Sequence, residues 1–221
     1  MTAWLLALDT STTTIVVAAG APDGALLDAE SFEGRYRHSQ ELLPAIVRLV
    51  ERAQLRLPEL AGVVVGTGPG AFTGLRVGLA TAKTLAHELG IPVVGIPSSS
   101  ALLAAVDGAE VLWLPSGPRD RIAVVAGSDP VVVVADATSP APAGGVELAV
   151  DLDGRAPDVA LELGRAALAG LPAALLRLGA ARLAAGEADD PERLVPRYAS
   201  QPRGAPAPDA EGGVAWSRDP R

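Results

Sequence analysis

Gly66-Thr67-Gly68-Pro69-Gly70-Ala71-Phe72-Thr73-Gly74-Leu75-Arg76-Val77-Gly78 is the stretch on which the reading of this chain turns. The run before it, Ala61-Gly62-Val63-Val64-Val65, is short, apolar and β-branched, which predicts a buried strand. Thr73 to Glu88 has helical spacing, with Thr73 as the expected N-cap and Gly90-Ile91-Pro92 as the stop. A glycine-rich turn between a strand and a helix is where α/β proteins bring backbone close to a ligand or to another element.

Two phosphate motifs are tested against this turn. The Walker pattern fails, because no Lys-Ser or Lys-Thr follows at the required spacing. Gly66 to Ala71 satisfies G-x-G-x-x-[GA], but that fingerprint needs an acid at the end of the next strand, roughly 20 residues on. Glu88 lies inside the helix, and the next strand, Val93 to Ile96, ends without an acid, so the dinucleotide reading is disfavoured. Within the helix Gly74, Gly78, Ala82 and Ala86 recur every four residues. Glycine inside a helix costs roughly 1 kcal/mol, so the stripe marks a place where something packs closely. Two occupants are open, the chain's own sheet or a partner's helix. The second predicts that Gly78→Leu breaks association while the monomer stays folded.

The chain has 221 residues, enough for one large domain or two small ones. Apolar residues make up 49% and aromatics 3%, so Ala, Val and Leu must build the core. With no cysteine there is no disulfide, zinc ribbon or thiol nucleophile. Trp4 to Leu8 is cut by Asp9 and has no basic leader, and no uncharged apolar run of about 20 residues occurs; a cytoplasmic protein is expected. Net charge is −8 with a pI near 4.8, and the arginines are scattered, so direct nucleic-acid binding is not expected.

Trp4 to Asp9 reads as a first strand, Thr14 to Ala19 as a second and Ala25 to Phe32 as a third, with Pro22-Asp23-Gly24 as a turn. Three meandering strands followed by helix, strand, helix, strand is the order of a ribonuclease-H-like half of an actin-type fold, with a mixed sheet. Asp9-Thr10-Ser11 closes the first strand. In that fold such a hairpin meets a nucleotide's phosphates; a plain hairpin turn explains the same residues, and both readings stay open. A helix from Ser39, its expected cap, to about Ala53 presents Leu42, Leu43, Ile46, Val47 and Val50, with Pro44 bending it. His38 and His87 have no metal-ligand spacing, and His38 is expected to cap or lie on the surface. After Pro97 the expected elements are a helix capped by Ser98-Ser99-Ser100 running to Val106, strands over 111–114, 122–126, 131–134 and 146–150, and helix over 157–185. Gly164, Gly170 and Pro172 should divide or bend that last helix. This divides the chain into an N-terminal domain (1–97), a smaller second α/β domain (98–199) and a tail (200–221) with little to bury.

Three places carry a resemblance. Leu8-Asp9-Thr10-Ser11-Thr12, Arg37-His38-Ser39-Gln40 with Leu43-Pro44, and Gly68 to Gly78 with Ala80-Thr81-Ala82-Lys83 are together similar to the TsaB (YeaZ) family. In the second half Leu114-Pro115-Ser116-Gly117 stands where the family has Asp-Ala-Arg. Pro196-Arg197-Tyr198-Ala199-Ser200 partly meets its Pro-x-Tyr-Leu-Arg. The resemblance implies an actin-like fold and a non-catalytic subunit of the bacterial machinery that places threonylcarbamoyl on a tRNA adenosine. It would bind the catalytic paralogue TsaD, with TsaE as a further partner. The implied interface is His38, Leu43, Val47, Phe72, Thr73, Gly74, Arg76, Gly78, Ala82 and Lys83. No cofactor is expected on this chain alone, with ATP or ADP open at the subunit junction and Asp9, Thr10 and Ser11 as a vestigial phosphate site. Self-association through the same surface is open too. The alternative from another class is a stand-alone enzyme, an actin-like phosphotransferase using Asp9 or a peptidase; the latter lacks a recognisable serine elbow.

Overall fold

The computed structural model describes residues 3–34, 37–117, 120–128, 131–133 and 145–198. Most of the loop expected over 139–145 and the whole tail from 200 lie outside the described residues. Strands β1 (Trp4–Asp9), β2 (Thr14–Gly20) and β3 (Leu26–Glu33) form the meander, followed by α1 (His38–Arg52), β4 (Leu60–Gly66), α2 (Phe72–Leu89), β5 (Val93–Ile96) and α3 (Ser98–Leu103). The five strands order as β3-β2-β1-β4-β5. The first three pair antiparallel, and β4 and β5 run parallel to β1.

β1 is apolar throughout because both of its faces are covered. Successive side chains alternate across the sheet, so Trp4, Leu6 and Leu8 pack under α1 and α2, while Leu5 and Ala7 face the other layer. β3 is the edge strand. Its Glu30 pairs with Arg48 and its Asp28 with Arg52, both from α1. The hydrogen bond from Arg52 holds the Asp28 carboxyl below its ordinary value, and that from Arg48 does the same for Glu30. These pairs are partly exposed, so their contribution to stability is small.

The second half repeats the plan with one strand fewer. β6 (Ala109–Ser116), β7 (Asp120–Val125) and β8 (Val131–Val133) form another meander, and β9 (Val146–Ala149) runs parallel to β6, giving the order β8-β7-β6-β9. α4 (Asp158–Ala184) then crosses back to the first sheet as one continuous helix. The expected division at Gly164, Gly170 and Pro172 does not occur. Gly164 lies so close to the Ala149 carbonyl that an added Cβ would sit 1.9 Å from it, and Gly179 stands the same way against Val64. These glycines let the helix approach both sheets. By length and composition alone α4 would be long and apolar enough to cross a membrane, yet half of that stretch is buried inside the protein. The core facing it joins Leu5, Ala7 and Val64 of the first sheet to Leu112 and Leu148 of the second.

Candidate functional site

The parallel strands of the first sheet end together at the glycine-rich turn, and Asp9 sits at their meeting point. It is completely buried. Its Oδ1 accepts from the backbone N–H of Ser11 at 2.8 Å and from the Ser11 hydroxyl at 2.7 Å, and its Oδ2 accepts from the Ser98 hydroxyl at 2.6 Å. Ser98 Oγ in turn accepts from the Gly68 N–H at 3.0 Å. Burial raises the Asp9 pKa, against the opposing pull of the Ser98 and Ser11 hydrogen bonds. Gly66 has to be glycine, because an added Cβ would fall 1.7 Å from Asp9 Oδ2. Gly68 holds φ at +102°, open only to a residue without Cβ strain.

The rest of the hairpin is bound inward in the same manner. Thr10 Oγ1 donates to the Gly74 carbonyl at 2.7 Å, the Ser11 carbonyl accepts from the Ala71 N–H at 2.6 Å, and both side chains are buried. Thr13 donates its N–H and its hydroxyl to the two oxygens of Asp151, at 2.7 and 2.6 Å, linking the hairpin to the end of β9. Asp9, Thr10 and Ser11 are therefore brought together, with their polar atoms directed at the protein itself. Ser98 and Asp151 complete this cluster. Ser98 was legible only as a helix cap, and the α3 helix that it opens ends at Leu103, short of Val106.

The small-residue stripe of α2 also faces inward. Cβ atoms at Gly74 and Gly78 would lie 2.1 Å from the Thr10 carbonyl and 2.3 Å from Thr10 Oγ1. Ala82 and Ala86 are buried in the layer under α1 and α2. Of the two expected occupants, the chain's own first strand and hairpin fill the stripe, which removes the physical ground for Gly74, Gly78 and Ala82 as contact residues. Three cap assignments are corrected as well. α2 begins at Phe72 after Ala71, α1 at His38 after Arg37, and α3 after Pro97, each without a side-chain cap from Thr73, Ser39 or the serine triplet. Gly90 ends α2 in the left-handed conformation, as its position predicts. His38 is buried, not on the surface, and its Nε2–H donates to the Thr12 carbonyl at 3.1 Å.

What α1 and α2 leave to solvent is different in kind. Leu43 and Val47, one turn apart on α1, are each 54% exposed, and Thr73, Arg76, Ala80 and Thr84 are exposed on α2. Phe72 and Lys83 are half-buried, because the chain returns over them after α4. Asp189 donates its N–H to the Val93 carbonyl and accepts from the Gly95 N–H, while Arg182 grips both of its oxygens at 3.0 and 3.2 Å. Burial raises the Asp189 pKa, but the Arg182 and Gly95 hydrogen bonds outweigh it and the net shift is downward. Farther on, the Leu194 carbonyl accepts from Lys83 Nζ, the Arg197 N–H donates to the Thr67 carbonyl, and Tyr198 stacks on Phe72 with ring centres 4.9 Å apart. This strap, residues 187–198, carried no periodic signal.

An open mixed sheet, a shorter repeat of it, and a glycine-rich turn where the parallel strands end define the actin-like fold class. A family model described as TsaD, tRNA N6-adenosine threonylcarbamoyltransferase, matches residues 34–151. An uncharacterised Mycobacterium tuberculosis protein is 33% identical over 207 residues, 91% of this chain and 94% of that protein. The Bacillus subtilis tRNA threonylcarbamoyladenosine biosynthesis protein TsaB is 34% identical over 100 residues, 45% of this chain and 43% of that protein. The chain spans less than half the length of the TsaB proteins it matches. The solved structure of YeaZ from Pseudomonas aeruginosa superposes with a TM-score of 0.67 at 27% identity, covering 89% of this chain and 99% of that one. The chain belongs to the TsaD family of that model and, within it, to the TsaB (YeaZ) group.

Proposed function

We propose that this chain is a non-catalytic subunit in the synthesis of threonylcarbamoyladenosine in tRNA, docking through α1 and α2 onto a catalytic paralogue of the TsaD type. The observation that carries the reading is the pair Leu43 and Val47, two aliphatic side chains more than half exposed on one face of α1, next to the exposed face of α2. An apolar pair standing in water beside the polar and charged residues of the same helix is the kind of surface that a partner covers. The TsaB-named relatives support the pathway. The inward binding of Asp9, Thr10 and Ser11 supports a role without phosphoryl chemistry in this chain, since each polar group that would face a nucleotide already has a protein partner. ATP or ADP, and TsaE, belong on this reading to the assembled complex.

Light scattering on a sizing column, with the protein alone and mixed with its organism's TsaD, tests this. A one-to-one complex is expected, lost in Val47→Asp with no change in the thermal midpoint, because the side chain is exposed. A larger species with the protein alone would show that a second copy takes the same face. Absence of any complex at micromolar concentration would refute the docking reading.

A further inference from the structure

Phe72, Arg76 and Lys83 fall on one flank of α2, at spacings of four and seven residues. Gly74 and Gly78 fall on the other flank, against Thr10 and beside His38 of α1. The strap runs along the first flank, so α1, α2 and the strap lie side by side with the exposed row of α2 in the middle. Tyr198 is 36% exposed and Val195 61% exposed on the strap. The Arg76 guanidinium lies 3.8 Å from the centre of the Phe72 ring, and its Nε–H donates to the Tyr198 hydroxyl at 3.1 Å. Arg76 has no ion-pair partner among the described residues, on a chain whose net charge is −8. A half-exposed Tyr–Phe–Arg stack is a rigid apolar surface with a polar tip, the residue types that anchor protein interfaces. The links from Asp189, Leu194 and Arg197 hold it in place before any partner arrives, so little ordering entropy remains to be lost.

We infer that the docking face is three elements wide, with Val195 and Tyr198 of the strap as its third row and a partner carboxylate meeting Arg76. This rests on the docking reading above, and the partner is the same catalytic paralogue.

The test is titration calorimetry of the full-length protein against that paralogue with four chains: wild type, Val47→Asp, Tyr198→Ala and Tyr198→Phe. Tyr198→Ala is expected to raise Kd about tenfold, as loss of an interface tyrosine does. Tyr198→Phe keeps the ring and should stay within about threefold. The thermal midpoints of both should remain within about 3 °C of wild type, since the side chain is partly exposed. If Val47→Asp abolishes binding while Tyr198→Ala binds as wild type does, the face ends at α2 and the inference is overturned, with the docking reading intact. Tighter binding by Tyr198→Ala would make the strap a shield and would overturn it equally. If wild type does not bind, both readings fall.

Discussion

A carboxylate buried completely at the end of a central strand is costly when ionised, and Asp9 persists because three donors, the Ser11 N–H and the Ser11 and Ser98 hydroxyls, are aimed at it. Its pKa is raised in the folded state, so the protonated form favours folding. The stability this contributes is full below the unfolded pKa near 3.8 and is lost as pH rises through the folded pKa. An asparagine in its place would keep the acceptor for Ser11 and donate to Ser98. Urea unfolding of Asp9→Asn is expected within about 1 kcal/mol of wild type at neutral pH, and wild type should lose stability relative to the variant as pH rises from acid. A flat difference across that range would disprove the account. Asp9→Ala strands the hydroxyls of Ser11 and Ser98 and is expected to cost about 3 kcal/mol in acid, and less as pH rises, because only wild type loses stability as Asp9 ionises. The sequence showed an acid followed by hydroxyls, and from those alone a ligand site and a folded-in cluster look the same. Ser98, the partner of Asp9 Oδ2, sits 89 residues away and reaches it only because β5 lies two strands from β1.

At the scale of elements, every strand and α-helix of the first hundred residues was legible, while the short 3-10 helix Leu57–Glu59 was not. Runs such as Trp4 to Leu8 and Val63 to Val65 are apolar for a single reason, burial on both faces. The spacing of Gly74, Gly78, Ala82 and Ala86 announced close packing correctly, but periodicity tells how near a neighbour comes, never which neighbour it is. Thr10 fills the gap, so Gly78→Ala is expected to cost about 2 kcal/mol in urea unfolding, and Gly78→Leu to prevent folding by circular dichroism. A folded Gly78→Leu monomer would return the stripe to the surface. The strap was unreadable for a different reason. Asp189, Leu194, Arg197 and Tyr198 act through single or paired contacts to β5, α2 or the turn, and such isolated contacts leave no pattern in a sequence.

For the molecule as a whole, the second sheet, β8-β7-β6-β9, repeats the strand pairing of β3-β2-β1-β4 in the first, without a repeat in the residues that build it. One apolar core runs through both sheets by way of α4. Calorimetry is therefore expected to give one transition whose calorimetric and van't Hoff enthalpies agree; two resolved transitions would show that the lobes are separate folding units. The long return of α4 has a consequence for synthesis. On the ribosome, β1 to β5 are made early, yet the face holding Leu5, Ala7, Val16, Ala18 and Val64 lacks its cover from α4 until Leu171 to Ala180 have been translated. Thr67 and Lys83 wait longer still for their partners, at Arg197 and Leu194. The nascent chain thus carries an incompletely covered apolar sheet for most of its translation, and the lobe begun first is the last to be finished.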